Sequence, residues 1–408
     1  MNKSKLRAYA RLIARKGVNI QPGQEVFIDA GLDQPEFVRM LVEECYKCKA
    51  KSVVVDWQYQ PLTKLHYRYQ SLKTLSTLPD YRESKLKHKA DVLACQIRLM
   101  SEDPDGLKGI NQEKFGKTQR KLGAVIKPYR DAMMNKYQWC IAAVPGKEWA
   151  KRLFPELRVN QAVEKLWEAI LDTSRVWDDP VAEWQRHNAS LKEHCAALDA
   201  MGIEKLHYTS SNGTDFTVGL NPKGRFLGGS HRTLGGTEFI PNIPTEECFT
   251  SPLKGEAEGI VYGTKPICSN GQLIEGFWIR FHEGKAVEWG AEKNEELLTK
   301  LITMDEGSAY LGEVALVPYA SPISESGLLF YNTLFDENAA CHLAIGMGFA
   351  ETVEGFDTMP IEEARRSLGV NDSIVHQDFM IGAKDTNIDA ICRDGQIRPV
   401  FRDGNWAF

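Results

Sequence analysis

Two histidines and several carboxylates stand in otherwise apolar segments of the C-terminal half, and together they have the composition of a metal site. The first segment is "IPNIPTEECFTSP", where Glu246 and Glu247 sit between prolines and next to Phe249. The second is "LGEVALVP", a short strand with Glu313 near its start. The third is "YNTLFDENAACHLAIG", with Glu337 and His342 five residues apart. The fourth is "SIVHQDFMIG", where residues two apart share a face of a strand, so His376 and Asp378 point the same way.

Each group has a plain structural reading when taken alone. A histidine among apolar residues is commonly a core histidine with its hydrogen bonds met. Glu337 suits the first turn of a helix, where the macrodipole favours an acid. Glu313 suits a strand end, and Glu246–Glu247 a solvated loop. Taken together these readings are harder to hold, because buried carboxylates are costly unless paired or bound to a cation. A mixture of imidazole and carboxylate without cysteine suits Zn2+, Co2+ or Mn2+. Counting one of Glu246 and Glu247, six candidate ligands exceed the needs of one tetrahedral site with an open position. They fit two ions about 3.5–4 Å apart with one carboxylate between them.

The third segment reads as helical. On a regular helix, residues five apart are turned about 140° from each other. One of Glu337 and His342 must then sit where the chain enters the helix, with Asp336 or Asn338 as the cap. This spacing differs from the i, i+4 pair of H-E-x-x-H.

The elements that would position these groups follow from the rest of the chain. With 408 residues, two domains are expected, 1–185 and 186–408, the boundary falling at "VWDDPVAEWQRH". In the N-terminal part "EVFIDAG", "QPEFVRMLVEECYKCKA" and "KSVVVDW" read as strand, helix, strand, a βαβ unit that predicts a parallel sheet. "HKADVLACQIRL" and "YQWCIAAVPG" fit either a helix or a strand. No G-x-G-x-x-G follows the first strand, so a dinucleotide site has no support. The C-terminal part is rich in strands and turns, with a hairpin signal at Asn212–Gly213. The fold class is therefore α/β, an N-terminal parallel-sheet domain followed by a mixed α+β domain that holds the metal.

Composition narrows the function classes. Apolar content of 43% and charged content of 26% describe an ordinary globular chain. A net charge of −5 argues against general nucleic-acid binding. No apolar run of membrane-spanning length exists. Nine scattered cysteines and no secretory signal point to the cytoplasm. Cys45 and Cys48 read as helix thiols, since zinc would want a second such pair. The acid-free start, "KLRAYARLIARKG", has the look of a transit peptide. It reads better as a first helix closed by Gly17, because loop and strand follow at once. The basic run within 105–138 reads as a solvated helix face, with a role toward peptide carboxylates as the other reading.

The stretches "NIPTEECFTSP", "GEVALVPYASPIS", "GLLFYNTLFDENAACHLAIG", "HQDFMIGAKDTNIDAI" and "RDGNWAF" resemble those of the thermophilic-aminopeptidase family of metallopeptidases. The likeness extends over essentially the whole chain. It implies an exopeptidase acting on peptide N-termini, a dinuclear metal site in the C-terminal domain, and a homodimer. By position it puts the metal ligands at Glu247, Glu313, Glu337, His342, His376 and Asp378, with Glu246 as the alternative to Glu247. In this reading Glu246 is the general base. The family usually carries a tyrosine where this chain has Phe349, so either another group such as Tyr331 or water supplies that hydroxyl contact or turnover is slower. Two rival readings stay open. One is a non-haem Fe(II) oxygenase using His342, His376 and either Glu313 or Asp378. The other is a peptide-binding protein without catalysis.

Overall fold

The computed structural model describes residues 2–269 and 272–408. The chain divides into two compact units, Met1–Arg186 with Ser230–Pro244, and His187–Gly229 with Thr245–Phe408.

The first unit is built on a parallel sheet of β1 (Glu25–Gly31), β2 (Ser52–Gln58), β3 (Cys95–Met100) and β4 (Trp139–Ala143), in the order β2-β1-β3-β4. The two segments that fitted either state are strands because each pairs along its length with a parallel neighbour. Helix α1 (Lys3–Leu12) begins at Asn2, whose side chain accepts from Ser4 N, and buries Tyr9, Ala10 and Leu12. Gly17 does not cap this helix. It lies in a π-turn, Ile13–Gly17, and a Cβ there would come 2.8 Å from the Cys140 sulfur, so close packing demands the glycine.

Helix α2 (Pro35–Lys47) has proline at its first turn and lysine at its last, as its dipole and free N–H groups favour. Its buried Phe37, Met40, Leu41 and Cys45 recur at helical spacing. Burial pushes the Cys45 thiol well up, which leaves it unreactive. The basic helix Gln112–Met133 buries only Thr118 and Met133, so most of its lysines and arginines face water, while Lys114 donates to the carbonyls of Tyr67 and Gln70. No helix among the described residues is long and apolar enough to cross a membrane.

The second unit contains two antiparallel sheets. One has eight strands around the hairpin of Ile203–Thr209 and Asp215–Leu220, which turns through Asn212–Gly213. The other carries the candidate ligands. It comprises β5 (Leu227–Gly228), β6 (Cys248–Thr250), β7 (Leu311–Leu316), β8 (His342–Gly346) and β9 (His376–Met380), in the order β9-β8-β7-β6-β5. The parallel sheet followed by antiparallel sheets matches the expected fold class.

Candidate metal centre

His342 lies on a strand, not on a helix. Thr333–Asp336 forms one helical turn, Glu337–Ala339 continues as a 3-10 turn, and β8 starts at His342. The run "HLAIG" is buried on both faces between β7 and β9 and so lacks the alternation that marks a half-exposed strand. The problem of two ligands on opposite helix faces therefore does not arise.

The strand register explains the convergence. Residues directly opposite each other on adjacent strands share a face. Ala344 pairs with Glu313 on one side and Asp378 on the other. Gly346 pairs with His376, and His342 with Met380 and Ala315. Ala315 pairs in turn with Phe249, two residues after Glu247. Glu313, His342, His376 and Asp378 thus project from one face, and Glu247 joins them at its edge. The residues between them on that face are small. At Gly346 the backbone is left-handed (φ +102°), and a Cβ would lie 2.0 Å from the Val375 carbonyl. Just before Glu313 the ladder slips by one residue, a bulge of the kind that re-aims a side chain.

The donor atoms meet closely. His342 Nε2 is 3.3 Å from a Glu247 oxygen. His376 Nε2 is 3.2 Å from Glu313 and 3.2 Å from Asp378. Two triads result, Glu247–Glu313–His342 and Glu313–His376–Asp378, each with donor atoms within 4.8 Å of one another, and Glu313 belongs to both. Both imidazoles face their Nδ1 toward a backbone carbonyl, Ala340 O at 3.2 Å for His342 and Met347 O at 2.8 Å for His376. That contact fixes the tautomer and leaves Nε2 for a ligand. Of the strand-borne groups His376 is the most open, with 23% of its side chain exposed against 1% for His342.

Electrostatics report how strongly these groups need a cation. Burial raises the pKa of Glu313. Burial, with Asp378 and Glu247 adding repulsion, raises Glu337 well above the usual range. Burial opposes charge on His342, yet Glu247, Glu313 and Asp378 outweigh it and raise its pKa to about 10. Protons thus do for this cluster what metal ions would do better, and the oxygen and nitrogen donors fit a borderline divalent ion.

The remaining expected residues are placed differently. Neither Glu337 nor Glu246 belongs to either triad: Glu337 is buried where the charges of Asp378 and Glu247 reach it, and the Glu246 carboxylate lies 3.7 Å from His187 Nε2, a residue no sequence motif pointed to. Asp336 accepts from the backbone of Phe330 at 2.8 Å and of Asn332 at 2.9 Å, and so it holds the turn. Tyr331 stands within that turn with a left-handed backbone, φ 54°. Phe349 packs its ring 4.9 Å from that of His376 and 5.6 Å from that of Phe249.

A family model for the thermophilic metalloproteases (M29) matches residues 2–406. The chain belongs to this family. The protein is accordingly a metallopeptidase, a hydrolase acting on peptide bonds. The chain is 42% identical to aminopeptidase AmpS of Bacillus subtilis (strain 168), over 99% of this chain and 98% of that protein. It is 40% identical to aminopeptidase 2 of Geobacillus stearothermophilus, over 98% and 97%. The structure of wild-type AmpT from Thermus thermophilus matches with a TM-score of 0.91 at 37% identity, covering 100% of both chains. A 2,5-dihydroxypyridine dioxygenase from Pseudomonas putida KT2440 matches with a TM-score of 0.52 at 13% identity, over 99% of this chain and 96% of that one, which is a likeness of fold alone.

Proposed function

We propose that the protein is an aminopeptidase that holds two divalent ions, Zn2+, Co2+ or Mn2+, among Glu247, Glu313, Glu337, His342, His376 and Asp378. The observation that carries this reading is the membership of Glu313 in both donor triads, since one carboxylate facing two sites is what a bridged pair requires. Ions bound there supply Lewis acidity toward a peptide carbonyl and lower the pKa of water toward neutrality.

The chain's own residues do the rest. His342 and His376 present Nε2 because their other nitrogens face backbone carbonyls. The surplus of carboxylates favours a substrate with a free α-amino group, which suits cleavage at the N-terminus. A carboxylate of the donor set takes the proton of the attacking water and returns it to the leaving amine. Tyr331 supplies the hydroxyl that Phe349 lacks. Relatives named aminopeptidases along their whole length support the substrate class. Nine free cysteines support a reducing, cytoplasmic setting, and we propose a homodimer.

The test is to strip the protein with a chelator, count the ions it regains, and assay aminoacyl amides beside their N-acetylated forms. Two ions per chain and activity confined to free amines are expected. One iron per chain with oxygen consumption would instead favour the oxygenase, a reading that uses three donors and leaves Glu247 and Glu337 unexplained. Two ions without release of amino acids would leave a peptide-binding protein.

A further inference from the structure

The six candidate ligands come from four separate segments, and the 3-10 turn carrying Glu337 has, among the described residues, no strand pairing to hold it in phase with the segment carrying Glu247. Asn338 provides the link. Its side chain is wholly buried. Its Oδ1 accepts from the Glu246 backbone N–H at 2.7 Å. Its Nδ2 donates to the Leu334 carbonyl at 3.0 Å and to Glu337 Oε1 at 3.4 Å. The amide can face only one way here, because a backbone N–H only donates and a backbone carbonyl only accepts. The Asn338 carbonyl is itself held by the Ser321 hydroxyl at 3.3 Å.

We propose that Asn338 is a positioning residue for the metal centre, locking the Glu246–Glu247 segment and the Glu337 turn into one donor set. The inference rests on the two-ion reading given above and deepens it. Neighbouring side chains of an extended chain leave on opposite sides, so fixing the amide of Glu246 fixes which glutamate turns inward. Glu247 is the one that reaches His342, at 3.3 Å, while Glu246 lies 3.7 Å from His187. The Nδ2 arm holds one oxygen of Glu337 from the other side of the same link. Among the described residues no hydrogen bond joins Asn338 to Glu313, His376 or Asp378. Its loss therefore weakens one ion and spares the other, whereas a general loosening of the fold would weaken both.

The full chain, freed of metal, is titrated with zinc against a chromophoric chelator at fixed pH, and folding is followed by circular dichroism. The wild type is expected to take up two ions. Asn338→Ala is expected to keep one ion at wild-type affinity and to hold the other roughly 10- to 100-fold more weakly, the usual effect of removing a group that orients a ligand. Asn338→Asp has nearly the same shape but lacks the Nδ2 donor. It is expected to weaken the same ion, and it decides the question if the alanine variant does not fold. Wild-type affinity for both ions in a folded variant, or an equal loss at both, overturns the proposal and leaves the two-ion reading standing. A wild-type chain that takes up no ion overturns that reading and the proposal with it.

Discussion

Glu313 and Asp378 stand on either side of Ala344, each in register with it on one face of the sheet. With strands about 4.8 Å apart, the two carboxylates approach each other over a methyl group. Ala344→Leu fills that space. It should cut metal content to less than half of wild type and activity by about 100-fold or more, while the sheet persists. Metal analysis and circular dichroism check this together. A leucine variant with a full complement of ions would mean that the donors meet elsewhere.

Removal of His376 should strip metal and activity in parallel. The imidazole lies 3.2 Å from both Glu313 and Asp378, and His376→Ala leaves those carboxylates without it. We expect one ion to be lost and activity to fall at least ~100-fold, by analogy with losses of 10- to 100-fold for mere orienting partners. Two tightly held ions in the alanine variant would refute the ligand assignment.

Phe349→Tyr adds a hydroxyl to a ring already packed against His376 at 4.9 Å. The ring position is occupied in either case, so packing should change little. The new donor should change kcat by severalfold and KM less, as a contact made mainly in the transition state does. Steady-state kinetics on one aminoacyl amide decide it, and unchanged constants would remove this position from catalysis.

Metal uptake should release protons. Before metal binds, the pKa of His342 is raised to about 10, so at neutral pH the ring carries a proton that ligation must displace. His376 is raised in the same direction, burial opposing its charge but Asp378 and Glu313 prevailing. Apparent affinity should therefore strengthen as pH rises from 6 toward 9. Calorimetry in two buffers of different ionisation enthalpy measures the protons released. An affinity that weakens over this range would contradict the assigned donors.

Much of this was legible in the sequence, and the residues show where legibility stopped. The βαβ unit was clear because the helix Pro35–Lys47 and its flanking strands each have their own periodicity and turn signals. The strands at Cys95–Met100 and Trp139–Ala143 were ambiguous because short apolar runs suit either state until a partner is known. His342 was misplaced on a helix for a related reason. The stretch before it is helical, and what makes it a strand is pairing with β7 and β9, distant in sequence. The ligand types could be read from their apolar surroundings. His187 and Asn338 could not, because their contacts to Thr245 O and Glu246 N are made to backbone groups, which leave no mark in a sequence.

The unequal exposure of the two imidazoles gives the cluster a front and a back. His342 is buried deep on the donor face, while His376 and the half-buried ring of Phe349 form the threshold that an arriving molecule meets first. Exchange of the ring Cε1 hydrogen for deuterium should accordingly run faster at His376 than at His342, and a competing peptide should slow the faster one.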